Sequence, residues 1–186
     1  MPSLFAFNID DVRLKDLAGI AVEAATAVAG TALKERGLLL ITHWGVSGPA
    51  VLKLSAWGAR ILHERDYRFE LLVNFAPAFN AESLRAELER ARAANPRKQL
   101  ATWCPLGLPL RLWEKLLPAA GLKPDATWAT VPGAGLRELA MQVTEAKFAV
   151  TGKSTFKEEF VTCGGVRLSE IDFKTMESRL VPGLHF

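Results

Sequence analysis

The chain has 186 residues, with 23 Lys and Arg against 20 Asp and Glu, so its formal net charge is only +3. This length suits one large domain or two small ones with a substantial core, and a 49% hydrophobic content is that of an ordinary soluble globular protein. No apolar run approaches the roughly 18 residues that a membrane span needs, and the N-terminus lacks the regions of a signal peptide. We therefore expect a cytoplasmic protein with no membrane partner.

Cysteine usage argues against a disulfide framework and against a metal centre. Cys104 and Cys163 are the only cysteines, no C-x-x-C occurs, and no histidine stands at the spacing of a zinc ligand. Two reduced thiols are the usual state of such a pair in a cytoplasmic protein. We predict no metal site.

Apolar patterning in the first part of the chain predicts short strands and one helix. Gly30 and the charged stretch 34–37, which ends in a glycine, predict a hairpin-like reversal between two of the strands. Pro49 suits the first turn of a helix, because its missing N–H costs nothing there. Apolar residues including Ile61 follow at helical spacing, with Gly58 as a weak point of the helix. The predicted strands cover residues 4–7, 20–28, 38–42 and 67–75.

The composition changes after residue 78. Asn80 is a good N-cap, and the next residues place leucines on one helical face with charges on the other. No strand pattern is found again until residue 146. The predicted helices are 81–94, 110–117 and 135–143, and the predicted strands are 146–151 and 156–162, joined by a link at 152–154.

These elements predict an α+β fold with mostly antiparallel pairing, in which the β part is barrel-like or sheet-like. We predict a β-rich subdomain made of residues 1–78 and 140–186, with a small all-α subdomain at 79–139 inserted into it. The helical part carries nine Lys and Arg against six Asp and Glu, which is the whole positive excess of the chain. Because these charges are interleaved, a solvated helix surface is the ordinary interpretation, and we expect no nucleic-acid partner. The alternative is a non-catalytic binding module whose basic helices contact RNA or a protein partner.

The stretch T-H-W-G-V-S-G-P-A at residues 42–50 is the best candidate for chemistry. It lies between an apolar run and the start of a helix, and such strand–turn–helix junctions bring backbone N–H groups together around an anion or a cofactor edge. His43 is the only histidine in such a setting, although a lone histidine is more often structural. Ser47 is not in the G-x-S-x-G pattern of a nucleophile elbow.

A second stretch, G-K-S-T at residues 152–155, resembles part of a phosphate-binding loop. That motif needs a glycine five positions before Gly152, and Lys147 stands there. A tight turn between two strands is the better interpretation.

Two motifs resemble a known family. Residues 42–52 (T-H-W-G-V-S-G-P-A-V-L) resemble the T-H-x-G-[VL]-S-G-P-A-[IV]-L signature of the BaiN/YhiN-type flavoproteins, which are NAD(P)/FAD-dependent oxidoreductases. Residues 156–166 (F-K-E-E-F-V-T-C-G-G-V) resemble F-x-x-A-x-V-T-x-G-G-V of the same family. Glu159 replaces the usual alanine, and Asp172-Phe173 replaces the usual Asn-Pro.

The resemblance implies FAD as the cofactor and a site made of two walls. Gly45, Gly48 and Pro49 would approach the flavin from one side, and Thr162, Gly164 and Gly165 from the other. His43 and Ser47 would hydrogen-bond a substrate carbonyl or donate a proton. These cofactor-binding and catalytic roles are implied by the resemblance alone.

The family's dinucleotide-binding motif G-x-G-x-x-G does not occur in these residues. We therefore expect the chain to correspond to the inserted, substrate-capping region of such an oxidoreductase, with the FAD-binding domain of the parent protein and a small-molecule substrate as its partners. Residues 154–186 would return to that domain, and we expect residues 172–186 to be loosely held. Alone, the chain would bind little FAD and be inactive, and its sequence does not choose a substrate, or between NADH and NADPH.

Overall fold

The computed structural model describes residues 1–154 and 161–186. In this part of the chain the fold is α+β with antiparallel pairing, as predicted. The strands are β1 (Pro2–Ser3), β2 (Phe7–Asn8), β3 (Ala21–Val28), β4 (Lys34–Ile41), β5 (Gly45–Ser47), β6 (Phe69–Asn74), β7 (Ala146–Val150), β8 (Gly152–Lys153), β9 (Val161–Thr162), β10 (Ile171–Asp172) and β11 (Glu177–Ser178). The helices are α1 (Pro49–Trp57), α2 (Ala59–Glu64), α3 (Ala81–Ala94), α4 (Leu110–Ala119) and α5 (Gly133–Thr144), with 3₁₀ turns at Trp128–Thr130 and Leu168–Glu170.

The largest sheet closes into a barrel. Its strand order is β7-β6-β3-β4-β5-β2-β8, and the two edge strands belong to one run of chain because only Thr151 separates β7 from β8. The Thr151 amide donates to the carbonyl oxygen of Asn8 at 3.0 Å, which continues the pairing across the joint. Residues 146–153 therefore complete the barrel, and a barrel of this size has an interior filled by side chains.

Side chains alternate between the interior of the barrel and its outer surface. Every second residue of β3 and of β7 is buried. Inside, aromatic rings meet edge to face, as Phe7 and Phe69 do with ring centres 5.1 Å apart. The period of two that the sequence shows is therefore the pattern of a barrel wall.

Helix α1 packs against β3 and β4. Pro49 is its first residue, as predicted, and Leu54 is fully buried. The helix ends with Gly58 as its C-cap residue, whose amide donates to the Leu54 carbonyl oxygen at 2.9 Å. A Cβ at this position would lie 2.8 Å from Leu33 Cδ1. The single predicted helix is thus two helices, and Ile61 in α2 is exposed rather than buried.

Helices α3, α4 and α5 lie between β6 and β7 in the chain. Asn80 caps α3 as predicted: its Oδ1 accepts from the Ser83 amide at 2.8 Å, and Ser83 Oγ accepts from the Asn80 amide at 3.0 Å. The Phe75 amide donates to the Val143 carbonyl oxygen at 2.8 Å, which joins the end of β6 to α5. The apolar core runs without a break from the barrel into these helices. The division into two subdomains stays a prediction.

Arg13 joins the N-terminal turn to the helices and to the barrel wall. Its guanidinium makes two hydrogen bonds to the Asp11 carboxylate, at 2.7 and 2.9 Å. It also donates to Gln142 Oε1 at 3.0 Å and to the carbonyl oxygen of Lys147, and its central carbon lies 4.1 Å from the centre of the Phe148 ring. The hydrogen bonds from Arg13 lower the pKa of Asp11 below its usual value.

The strand predicted at residues 4–7 is two short strands. Leu4 has a φ of 57°, in the left-handed region, and this breaks the extended backbone. The two halves therefore take different partners: β1 pairs with β9, while β2 lies between β5 and β8.

Only the first part of the reversal predicted at Gly30 and residues 34–37 is found, because the turn contains Gly30 but ends before Lys34. The turn covers residues 29–33, where Thr31 Oγ1 donates to the Val28 carbonyl oxygen at 2.8 Å. Lys34 and Arg36 already belong to β4 and are exposed, so the outer barrel wall accommodates their charges.

The link at residues 152–154, predicted to be a tight turn, contains a strand. Gly152 and Lys153 form β8 and pair with β2, so this stretch is part of the barrel rather than a tight turn. Most of the strand predicted at 156–162 lies outside the described residues. Its last two residues form β9.

The C-terminal residues form a small unit of their own. Strands β10 and β11 pair with each other, and the Ser178 amide donates to the Leu184 carbonyl oxygen at 2.8 Å. Among the described residues, this pair forms a sheet separate from the barrel. That residues 172–186 are loosely held stays a prediction. None of the helices in residues 1–154 and 161–186 has the length and apolar composition that crossing a bilayer requires.

We expect Arg13→Ala to lower the free energy of unfolding by about 2–3 kcal/mol, because it removes charge-assisted hydrogen bonds from a largely buried group. Arg36→Ala is the matched control: its ion pair with Glu23 is more than half exposed, and its loss should cost about 0.5 kcal/mol or less. The contribution of the ionised Asp11 to the free energy of unfolding is present above pH 3.8, the ordinary pKa of Asp. It is lost as the pH falls through the lowered pKa of Asp11 in the folded state. Urea denaturation between pH 3 and pH 7 measures both effects, and equal losses for the two variants would contradict the assignment.

Candidate functional site

The predicted catalytic pair lies on the hairpin formed by β4 and β5. His43 and Trp44 form its two-residue tip, and the Thr42 amide donates to the Gly45 carbonyl oxygen at 2.9 Å to close it. His43 is exposed, and Ser47 is half-buried opposite Leu40. Both polar side chains are thus held outside the apolar core by one hairpin.

The strand–glycine turn–helix junction predicted at residues 42–50 is wrong in one respect. A three-residue strand, β5, lies between the hairpin tip and α1, and it pairs with β4 on one side and β2 on the other. Pro49 is exposed at the first position of α1. The whole of β5 therefore separates His43 from the backbone amides at the start of α1 along the chain.

The two glycines of this stretch are required by the barrel itself. A Cβ on Gly45 would lie 2.2 Å from the Phe7 carbonyl oxygen and 2.6 Å from the Ile9 amide nitrogen. A Cβ on Gly48, which has a φ of 91°, would lie 2.8 Å from the Leu38 carbonyl oxygen. The space beside these glycines is filled by neighbouring strands.

The second predicted wall, at residues 162–165, has open space beside its glycines, unlike Gly45 and Gly48. Gly164 and Gly165 are exposed, have φ values of 140° and 154°, and have no atom within 4 Å of the position of an added Cβ. Thr162 is also exposed, in β9. The Cys163 amide donates to the Met1 carbonyl oxygen at 2.7 Å, which holds the segment in place. This is bare, accessible backbone of a kind that a flat cofactor ring could approach.

The N-terminal segment connects the two walls. Ser3 in β1 pairs with Val161, and Phe7 in β2 pairs with Val46. Because four residues of chain span at most about 14 Å, the attachment points of the two walls lie within that distance of each other. The sequence motifs did not reveal this role of residues 1–9, where only a strand at residues 4–7 was predicted.

Neither cysteine takes part in a disulfide, and both are half-buried. Burial raises the pKa of the Cys104 thiol, so this residue is protonated at neutral pH and is a poor nucleophile. No group of His, Cys, Asp and Glu within the described residues is arranged to hold a metal ion.

The other two histidines are placed by contacts near the surface. His63 Nδ1 lies 3.1 Å from Tyr67 Oη, and His185 Nδ1 lies 3.2 Å from the Thr175 carbonyl oxygen. The structure brings neither of them onto the hairpin that carries His43.

Several basic residues of the helical part have partners within it. Arg92 Nη1 donates to the Val131 carbonyl oxygen at 2.9 Å, and Lys98 Nζ lies 4.2 Å from the centre of the Trp103 ring. Arg90 pairs with Glu87 at 2.6 Å. These contacts give the basic residues a structural role on the helix surface.

A groove of about 750 Å³ lies on the outer barrel wall. Alanines of β3 line its floor, and charged side chains of both signs surround it. None of the predicted site residues lines it. Its lining includes Ala25, Ala27, Lys34, Arg36, Leu72 and Glu145.

Comparison with known proteins confirms the family resemblance. The family model described as HI0933-like protein barrel and H2TH domain matches residues 1–161. The chain is 34% identical over 175 residues to a ribosomal RNA dihydrouridine synthase of Escherichia coli K12, which covers 94% of this chain and 40% of that protein. It is 31% identical over 183 residues to the Haemophilus influenzae protein of the same name, covering 98% of this chain and 42% of that protein.

A more distant relative is the 3-dehydro-bile acid delta(4,6)-reductase of Clostridium scindens, 26% identical over 197 residues, which cover 100% of this chain and 46% of the relative. The chain thus spans less than half the length of each of these relatives. The matches support an insert region of an oxidoreductase family related to flavoproteins.

We expect Gly45→Ala to destabilise the barrel by at least about 2 kcal/mol, since the new methyl group would overlap backbone atoms of β2 that cannot move aside. Gly133→Ala is the control, because it adds a methyl group at the start of α5 with no atom within 4 Å, and it should be neutral or slightly stabilising. Thermal denaturation followed by circular dichroism compares the two variants. An unchanged melting temperature for Gly45→Ala would show that the scaffold does not require this glycine.

Proposed function

The chain belongs to the family of HI0933-like proteins with a barrel and an H2TH domain, and from this premise we propose that it is the insert region of a longer FAD-dependent oxidoreductase that reduces uridine in RNA. The observation that supports RNA as the substrate is the pair of ribosomal RNA dihydrouridine synthases, which match 94% and 98% of the chain at 34% and 31% identity. The bile-acid reductase matches at 26%.

The proposed reaction adds one hydride and one proton to uracil. Dihydrouridine differs from uridine by two hydrogens across the C5–C6 double bond, which is conjugated with the C4 carbonyl group. Uridine, NAD(P)H and a proton thus give dihydrouridine and NAD(P)⁺. Bound FAD, once reduced by NAD(P)H, would supply the hydride that reaches C6. The protein must then hold the base, polarise the C4 carbonyl and deliver a proton to C5.

The residues around Gly164 fit a flavin better than those around Gly45. Gly164 and Gly165 leave open space beside exposed backbone, and the Thr162 hydroxyl lies next to them in the chain. At Gly45 and Gly48 the corresponding space is taken by β2 and β4. We therefore propose that residues 162–165 contact the cofactor directly, and that the hairpin with Gly45, Gly48 and Pro49 faces the substrate side.

On that side, His43 and Ser47 have the required chemistry. The imidazole at the hairpin tip is exposed, so a substrate can reach it, and imidazole is a common proton donor in catalysis. The Ser47 hydroxyl, half-buried on the adjoining strand, can donate a hydrogen bond to a carbonyl oxygen. In the proposed reaction His43 delivers the proton to C5, and Ser47 holds the C4 oxygen.

A second candidate function is the reduction of an unsaturated small molecule, which the similarity to the bile-acid reductase favours. A double bond conjugated with a carbonyl group would need the same hydride, the same proton and the same hydrogen bond. The chemistry of the site does not separate the two substrates, so the experiment must include both.

The test uses the complete protein, expressed from a gene that includes the coding sequence on both sides of these 186 residues. We expect it to carry FAD and to add two hydrogens to a uridine of ribosomal RNA, detected by mass spectrometry of nuclease digests after incubation with NAD(P)H. The 186-residue chain alone should bind little FAD and show no activity. Reduction of an unsaturated bile acid with no change in RNA would instead support the second function.

We expect His43→Gln to lower kcat for RNA reduction roughly a hundredfold or more, because the proton donor is lost. Reduction of the flavin by NAD(P)H should stay unchanged. His63→Gln is the control, since that histidine is also exposed but lies beside Tyr67, outside the hairpin that carries His43. Equal rates for the two variants would remove His43 from the mechanism.

A further inference from the structure

One surface next to the candidate site has an unusual charge pattern. Residues 37–63 contain neither Asp nor Glu, although 20 acidic residues occur in the chain. This stretch includes the hairpin with His43, the whole of α1 and most of α2. Its two permanently charged residues are Lys53 and Arg60. An anionic molecule would therefore meet no like charge from this stretch of chain.

The outer face of α1 presents an aromatic side chain together with these cations. The inner face is buried through Ala50, Val51, Leu54 and Ser55. Pro49, Lys53 and Trp57 follow at intervals of four, so they share the opposite, exposed face. Arg60 continues this exposed surface in α2, one turn after Trp57.

Trp57 is 77% exposed, more than any other large hydrophobic side chain among residues 1–154 and 161–186. Its helix is firmly held, because the buried Ser55 Oγ accepts from the Phe5 amide at 2.9 Å and donates to the Leu52 carbonyl oxygen at 2.8 Å. The indole is thus displayed on a fixed backbone. Core packing does not explain a large apolar ring at this position.

Lys53 and Arg60 differ from the basic residues of α3. Neither makes an ion pair with any residue in the described part of the chain, whereas Arg85 and Arg90 pair with glutamates of their own helix. Unpaired cations beside an exposed aromatic ring are the combination that binds single-stranded nucleic acid: the ring stacks on a base and the cations contact phosphates.

The surface begins at the candidate site. Only Gly48 separates Ser47 from the start of α1, and nine helical residues extend it by about 12 Å to Trp57. A strand whose reacting base lies at the hairpin could therefore continue along α1.

We propose that the exposed face formed by Lys53, Trp57 and Arg60 binds the single-stranded RNA next to the reacting uridine, with Trp57 stacked on a base and the two cations on phosphates. This proposal rests on RNA being the substrate of the proposed function. It assigns RNA contact to α1 and α2, and not to the basic helices of the 79–139 segment.

The test measures binding of a short fluorescein-labelled oligouridylate to the 186-residue chain by fluorescence anisotropy at several salt concentrations. Trp57→Ala should weaken binding roughly five- to a hundredfold, and Trp57→Phe should keep most of the affinity, because a phenyl ring can also stack. Lys53→Glu/Arg60→Glu should lower the slope of log affinity against log salt by about 1.4, which corresponds to two phosphate contacts.

The matched control is Arg85→Glu/Arg90→Glu, which makes the same change in net charge on α3 and should leave the salt slope unchanged. Circular dichroism checks that every variant is folded. A loss of binding in the α3 variant alone, or equal losses in both, would overturn the proposal, as would no binding by the unmodified chain at low salt.

A further measurement separates this surface from a contact with another part of the complete protein. If Trp57→Ala in the complete protein releases FAD and leaves RNA affinity unchanged, the face packs against the rest of that protein and the proposal is wrong. A different result would contradict the proposed reaction: the complete protein would bind RNA through this face but form no dihydrouridine.

Discussion

Closure of the barrel by residues 146–153 is the constraint on which the rest of the structure depends. One run of chain pairs with β6 at one end of the strand order and with β2 at the other, so the strand order closes on itself. This closure brings β2 between β5 and β8, and the bare Cα of Gly45 then allows the Phe7 backbone to approach. A side chain at Gly45 would separate β5 from β2 and move the hairpin that carries His43.

The N-terminal segment links the two walls of the candidate site to the barrel. It is kinked at Leu4, so β1 holds the segment with Gly164 while β2 stays in the barrel beside the hairpin. Two motifs more than a hundred residues apart in sequence are therefore attached to two short consecutive strands, β1 and β2. In the proposed function the cofactor would contact the backbone of residues 162–165, and the substrate would contact the polar side chains of the hairpin.

Local patterns in the sequence predicted the parts of the fold that depend on neighbouring residues. Asn80 as a helix cap, Pro49 as a first helical residue and the alternation in β3 each follow from hydrogen bonds or side-chain directions within a few residues. Predictions failed where a distant partner decides: Gly152 and Lys153 looked like a turn, because the strand that pairs with them, β2, is about 145 residues away.

The sequence by itself determined the family, the α+β class and the residues that could do chemistry, because motif letters and hydrophobic periods are local properties. Only the tertiary structure decided that the β part is a closed barrel and that Gly45 is required by β2. It also decided which charges are already paired and which aromatic ring is exposed, and so distinguished Trp57 from tryptophans in the core such as Trp113. These outcomes depend on contacts between residues far apart in the chain, which no local pattern records.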